Sequence, residues 1–332
     1  MSLPVTIAGG GLAGLSLGIA LQERGVAVTL HEAATYPRHR VCGEFLGGVS
    51  AEVLDSLGVS FALEGAVPLT TSCWHDEEGP LREMAVEGRG ISRHRLDDLL
   101  QARFRDLGGT LVTGSRIAPG EGVVWAAGKP RRPSGWIGLK CHFRDLPLTH
   151  DLEMHVGRDG YVGLARIEGG RVNVCGLFRR HETSGSKGVM LFRRYLWDLG
   201  LVELSHRLDG AVPEPESLCG VAGLSFGRNG SPDFSIGDSA SVIPPFTGNG
   251  MSMALEAAHI ALGPALDFAR GNLSWDAAVL MNRRRASRAF ARRMQVSLLL
   301  HPLVTDSGST KWMRRLGMTR HLPFGMLYRT LR

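Results

Sequence analysis

Residues 5–32 read VTIAGGGLAGLSLGIALQERGVAVTLHE, and the glycine spacing in that stretch decides how the chain begins to fold. Leu3–Ala8 and Val26–His31 are apolar runs of strand length, and Leu12–Arg24 between them carries helix formers. The joint, Gly9-Gly10-Gly11-Leu12-Ala13-Gly14, fits G-x-G-x-x-G. Strand, glycine turn, helix and second strand are the context that makes this pattern a dinucleotide signal. Gly9 makes the tight turn, and Gly11 lets a pyrophosphate approach the helix N-terminus. Leu12 and Ala13 open the helix, and Gly14 lets it lie close on the strand. Glu32 ends the second strand, where its carboxylate can accept both hydroxyls of a ribose. The same charge opposes a 2′-phosphate there.

A second glycine-bearing segment lies far downstream. Residues 237–256 read GDSASVIPPFTGNGMSMALE, following a predicted strand at 233–236. Two prolines stiffen the approach to a helix N-terminus, and Gly248-Asn249-Gly250 leaves the backbone there bare. A helix start exposes unpaired N–H groups worth about half a positive charge. An NAD dehydrogenase has no use for such an element this far from its one nucleotide fold.

Composition narrows the class. The 332 residues allow a large core or two associated domains, and 43% apolar with 21% charged residues is ordinary for a soluble globular protein. Five cysteines, at 42, 73, 141, 175 and 219, are odd in number and form no C-x-x-C. That argues against a disulfide framework or a zinc site, no metal is expected, and a reducing cytoplasm fits. Residues 5–21 are apolar enough for a signal-peptide core, but no basic residue precedes them, so the glycine reading holds. Neither a transmembrane span nor an internal repeat is visible. The net charge of +6 collects after residue 280, in Arg283, Arg284, Arg285, Arg288, Arg292 and Arg293. Such basic and apolar helices suit either a peripheral membrane contact or a packed helix with a solvated face. Without an aromatic-bearing nucleic-acid fold they do not argue for DNA or RNA.

The two glycine segments together resemble the flavoprotein superfamily of para-hydroxybenzoate hydroxylase and geranylgeranyl reductase, over roughly residues 3–300. The resemblance implies an α/β fold: a Rossmann-like FAD-binding domain of glutathione-reductase type, an antiparallel β-sheet substrate domain, and C-terminal helices. The FAD-binding domain would take 1–68, 88–132 and 221–295, and the substrate domain 69–87 and 133–220. A helical tail would fill 296–332. Non-covalent FAD is the implied cofactor. Gly237 and Asp238 match the pair whose carboxylate binds the ribityl chain. Pro244 to Gly250 match the loop beside the flavin, with Pro245, Gly248, Asn249, Gly250 and Met251 nearest its pyrimidine edge. In PRHRVCGEFLGG (37–48), Arg40 best matches the family's phosphate-contacting arginine, with Arg38 the alternative.

Cys42-Gly43-Glu44 looks most like the reductase branch. Cys42 would face the ring or substrate and Glu44 would transfer a proton; a small buried cysteine with a structural glutamate is the competing reading. Arg93 matches the family's R-x-x-L arginine on the flavin side, against an ordinary helix-cap role. Where hydroxylases carry Asp-Gly, this chain has Ala127-Gly128, which weakens the case for direct NADPH contact. In the substrate half, Tyr161 keeps only the aromatic of a reductase motif and either lines the pocket or packs across strands. Residues 188–208 read as helix, 213–220 as a proline-rich return, and 251–270 and 274–300 as helices.

The leading expectation is a monooxygenase (a hydroxylase) acting on a hydrophobic aromatic, polyketide-like or quinone-precursor small molecule, with NAD(P)H as a donor. Reduction of prenyl or other alkene bonds is the alternative. A membrane-associated electron-transfer flavoprotein is the third reading.

Overall fold

The computed structural model describes residues 2–129, 132–181, 185–230, 234–306 and 308. The expected tail beyond 308 lies outside the described residues.

The opening glycine segment folds as read. Strand β1 (Val5–Ala8) runs into helix α1 (Leu12–Gln22) and returns as β2 (Val28–Glu32). Strand β3 (Phe45–Gly47) and the short helix α2 (Ala51–Ser56) follow. A long hairpin, β4 (Val67–Asp76) and β5 (Gly79–Gly90), leads to helix α3 (Arg93–Asp106), then β6 (Thr110–Thr113) and β7 (Val123–Trp125). Four of these strands form a parallel sheet in the order β6-β2-β1-β7. Phe234–Ile236 extends it beyond β7: Trp125 N–H donates to Phe234 O, and Ile236 N–H donates to Trp125 O. Asp233, expected in this strand, lies outside the described residues.

Helix α1 is apolar around most of its circumference and is buried from Leu12 to Leu21. It can be, because the sheet, α3 and helix α6 (Gly250–Ala269) enclose it. Gly18 lets α3 come close: a Cβ there would stand 2.9 Å from the Phe104 ring.

The second sheet has eight strands in the order β12-β8-β11-β10-β9-β4-β5-β3, adding β8 (Trp136–Arg144), β9 (Leu152–Gly157), β10 (Gly160–Ile167), β11 (Arg171–Arg179) and β12 (Val212–Ala222). All pairings are antiparallel except β4 with β9. One face is sealed by helices α4 (Gly188–Asp198) and α5 (Val202–Asp209), on Phe143, Val162, Val174 and Phe178. The other face, carrying Lys140, His142, Tyr161 and Leu177, looks toward the nucleotide half.

Three expected elements are corrected. The single helix at 188–208 is two, because the chain turns at Gly200 with φ +78°. The proline-rich 213–220 is a strand. Pro213 and Pro215 are tolerated because β12 is an edge strand, with a register shift between Glu214 and Cys219. Finally, helix α7 (Trp275–Thr305) passes 296 unbroken, so the expected boundary of the tail falls inside it.

Candidate active site

The site is built where the parallel strands end, the place an open α/β sheet offers a ligand. Gly9 adopts φ +111°, and a Cβ on it would sit 2.2 Å from Ala126 O, so the turn after β1 nests against the end of β7. A Cβ on Gly14 would sit 2.0 Å from Gly9 O, so helix and turn touch there as well. Gly11 differs: nothing lies within 4 Å of its Cβ position. It is the N-cap of α1, no side chain caps it, and the first turn holds no acid. The N–H groups of that turn and their partial positive charge are left for a ligand. Leu12 and Ala13, the next two residues, are buried.

Glu32 stands beside this turn, 4% exposed. Its carboxylate accepts the N–H of Gly10 at 2.8 Å and of Ala34 at 3.0 Å. Arg38 pairs with it at 2.9 Å and Arg40 approaches to 3.6 Å. Arg40 also donates to Gly10 O (3.2 Å) and to the buried Asp97 (2.8 Å). Both arginines that the sequence offered therefore reach the glycine turn, by different partners. Two neighbours were missed. The Tyr36 hydroxyl donates to Gly10 O, and Asp97 holds both Arg40 and Arg93. Asp97 was hidden in a helix whose spacing showed only its apolar face.

The downstream segment folds onto the same place. Gly237 takes φ +57°, and a Cβ on it would stand 3.1 Å from that of Ala13. Asp238 keeps 36% of its side chain exposed, with Lys129 Nζ at 3.6 Å. Ser239, another residue missed, ties this turn to Ala127-Gly128: its Oγ accepts the Gly128 N–H at 2.9 Å. Gly128 has φ +81° and open space above it. Behind the turn a cavity of about 160 Å³ is lined by residues of α6 and α7, with Asp238, Gly250, Asn282 and Phe290 among them.

Pro245–Thr247 form a short 3₁₀ turn, and Gly248 at φ +68° leads to Asn249, the N-cap of α6. No side chain caps α6 and no acid sits in its first turn. Met251 is buried, while nothing lies within 4 Å of a Cβ on Gly250. Tyr161 fixes the loop: its buried hydroxyl accepts the Phe246 N–H at 3.0 Å. Burial holds that phenol un-ionised, pushing its pKa well up. Tyr161 is thus a loop anchor reached from the opposite sheet.

Cys42 lies against Arg93, whose guanidinium is bidentate to Asp97 at 2.7 and 2.8 Å. Glu44 is fully buried at φ +54°. It accepts from His142 Nε2 at 2.6 Å, Lys140 Nζ at 3.0 Å and Arg93 N–H at 2.9 Å. Burial alone pushes its pKa up, but the His142 hydrogen bond, the Lys140 charge and the Arg93 N–H together hold it below the usual carboxylate range. An acid so held has no proton to give. Lys140 also meets His39 Nδ1 at 3.2 Å, and His39, pushed down to about 4 by burial and then by Lys140, stays neutral.

Between the proline-bearing loop and the sheet lies an apolar cluster: Val156, Tyr161, Leu177, Leu224 and Phe246, flanked by Trp74, Trp136 and Met154. The end of α7 closes it. His301, 8% exposed, meets the rings of Trp136, Phe226, Tyr161 and Phe246 at 5.4, 4.8, 6.4 and 6.3 Å. Burial, then Arg179, lowers its pKa to about 4.

A family model described as an FAD binding domain matches residues 2–78. No curated protein sequence matches the chain. Solved structures of similar fold include Pseudomonas aeruginosa PqsL in complex with 2-aminobenzoylacetate, at TM-score 0.73 and 16% identity, over 92% of this chain and 97% of that one. The flavin-dependent brominase Bmp2 aligns at TM-score 0.74 and 16% identity, over 98% and 92%. FqzB aligns at 0.76 and 17%, over 98% and 89%.

The family model and the site geometry agree on an FAD-binding domain at the N-terminal end of the chain, and the solved structures share the fold of the whole. The cofactor is FAD, and the residues present suit it: two uncapped helix starts, and open space over Gly11, Gly128 and Gly250. Among the described residues, no helix is long and apolar enough to cross a membrane.

Proposed function

We propose that this chain is an FAD-dependent monooxygenase that hydroxylates a hydrophobic aromatic, polyketide-like or quinone-precursor small molecule, with NAD(P)H as electron donor. The observation that carries the reading is the aromatic cluster around Tyr161 and Phe246. It abuts the loop that leads into the uncapped start of α6. PqsL, similar in fold, was crystallised in complex with 2-aminobenzoylacetate, which supports an aromatic small molecule as the ligand.

In this reading Gly9, Gly11, Leu12, Ala13 and Gly14 receive the pyrophosphate, and Glu32 receives the adenosine ribose. Glu32 must then exchange part of its pairing with Arg38 and Arg40 for ribose hydroxyls. That exchange frees guanidinium groups for the phosphates beside them. Arg93 and Cys42 flank the same region, with Asp97 fixing the guanidinium. Ala127, Gly128, Gly237 and Asp238 take the ribityl chain. Pro245, Gly248, Asn249, Gly250 and Met251 present backbone to the flavin, where the α6 dipole favours negative charge.

When bound, FAD supplies the electron transfer and oxygen activation. The chain's own part is to bind, orient and exclude water. Trp136, Met154, Leu177 and Phe246 give an apolar wall, and His301, neutral near pH 7, adds no charge to it. Glu44 serves as a buried anchor joining Arg93 to the sheet, not as a proton donor.

The reductase alternative is not favoured by the fold neighbours. Turnover under ¹⁸O₂ with NADPH and a panel of phenols and polyketide-like aromatics separates the two. A monooxygenase places one labelled oxygen in the product. Product formed without oxygen, from an alkene, would replace this reading with the reductase.

A further inference from the structure

Helix α7 carries different chemistry on its two sides. Inward, Leu300, His301 and Val304 close the aromatic cluster. Outward, Arg284, Arg288 and Arg292 are exposed, and the same side continues as Leu298, Leu299 and Leu303, at 39%, 74% and 38% exposure. At 3.6 residues per turn these six fall within a sector of about 140°, running about 30 Å along the axis. No acidic residue occurs between Asp276 and Asp306, so nothing on the helix beyond its first turn offsets the charge. Arg293, by contrast, turns inward and pairs with Glu256 at 2.9 Å.

A solvated basic face accounts for the arginines but leaves the row of exposed leucines unexplained. A nucleic acid would use the arginines and likewise leave the leucines in water. An anionic bilayer uses both, since guanidinium groups meet headgroup phosphates while apolar side chains enter the acyl boundary. We propose that the outer face of α7 docks on an anionic lipid bilayer as a peripheral contact. This goes beyond the hydroxylase reading and does not depend on it. The leucine end of the face lies directly outside the aromatic cluster, which places the cluster next to the lipid when the helix is docked.

The test is sedimentation of the full chain with vesicles of phosphatidylcholine alone or mixed with phosphatidylglycerol, at low and high salt. The mixed vesicles are expected to retain at least about tenfold more protein, a difference that high salt removes. R284Q/R288Q/R292Q should abolish the retention, and L299S/L303S should reduce it severalfold, each with unchanged flavin absorbance and melting. If the arginine variant fails to fold, the salt dependence of the wild type decides. Equal retention on both vesicles, none on either, or an arginine variant that pellets like wild type would overturn the proposal. So would duplex DNA competing for the chain while L299S/L303S stays bound to vesicles. The ¹⁸O₂ turnover assay, run separately, reports on the hydroxylase reading alone.

Discussion

Single glycines separate what the fold needs from what the cofactor needs. A side chain on Gly14 would strike Gly9 O, whereas one on Gly11 would meet nothing in the protein. Gly14→Val should therefore lower stability by about 3 kcal/mol or more, measured by urea unfolding. Gly11→Val should leave the cofactor-free protein within about 1 kcal/mol of wild type, yet cut flavin retention at least about tenfold. Loss of stability in Gly11→Val with normal flavin binding would reverse the assignment. Glu44 offers a second residue-level test. Its removal strands Lys140, which is fully buried, so Glu44→Gln should cost about 3–5 kcal/mol in denaturant unfolding. A catalytic acid would instead lose turnover with stability intact.

Among elements, the loop at Pro245–Thr247 depends on a strand from the other sheet. Tyr161→Phe removes the acceptor of the Phe246 N–H and should cost about 1–3 kcal/mol. It should also speed flavin release, followed by the rise of free-flavin fluorescence. The two glycine segments were legible in the sequence because each works locally: a turn, a helix start and a strand end lie within a few residues. Glu32 was legible for the same reason. Lys140 and His142 were not, because they meet Glu44 across about a hundred residues of chain and carry no local pattern. Ser239 and Tyr36 bond to turns formed elsewhere, so only the fold reveals them. The prolines of β12 misled for a physical reason, since proline argues against a central strand but is compatible with an edge. In α7, Arg283, Arg284, Arg285, Arg288 and Arg292 are exposed as read, but Arg293 turns inward to Glu256, and nothing local told where the helix ends.

For the molecule as a whole, histidines that are buried or half-buried set a pH limit. His39, His75 and His301 are each lowered from 6.5 to about 4, burial being the largest cause in every case. The unfolded chain takes up protons below about 6.5, while the folded one resists until about 4. Stability present above 6.5 is therefore lost progressively as pH falls across that window. Glu44, lowered in the fold, acts in the same direction further into acid: its contribution is present above its unfolded pKa and lost as pH falls through the folded one. Urea midpoints between pH 7 and 4 should fall steadily, and His301→Phe should flatten part of the slope. A midpoint independent of pH would contradict the burial of these rings.

In the proposed function, Gly11, Gly237 and Gly250 converge on one dinucleotide. The direct measurement is the flavin released from the native protein by heat and identified by chromatography. One FAD per chain, released without proteolysis and lost in Gly11→Val, is the expected result. A protein purified without flavin that neither binds added FAD nor melts higher in its presence would contradict it.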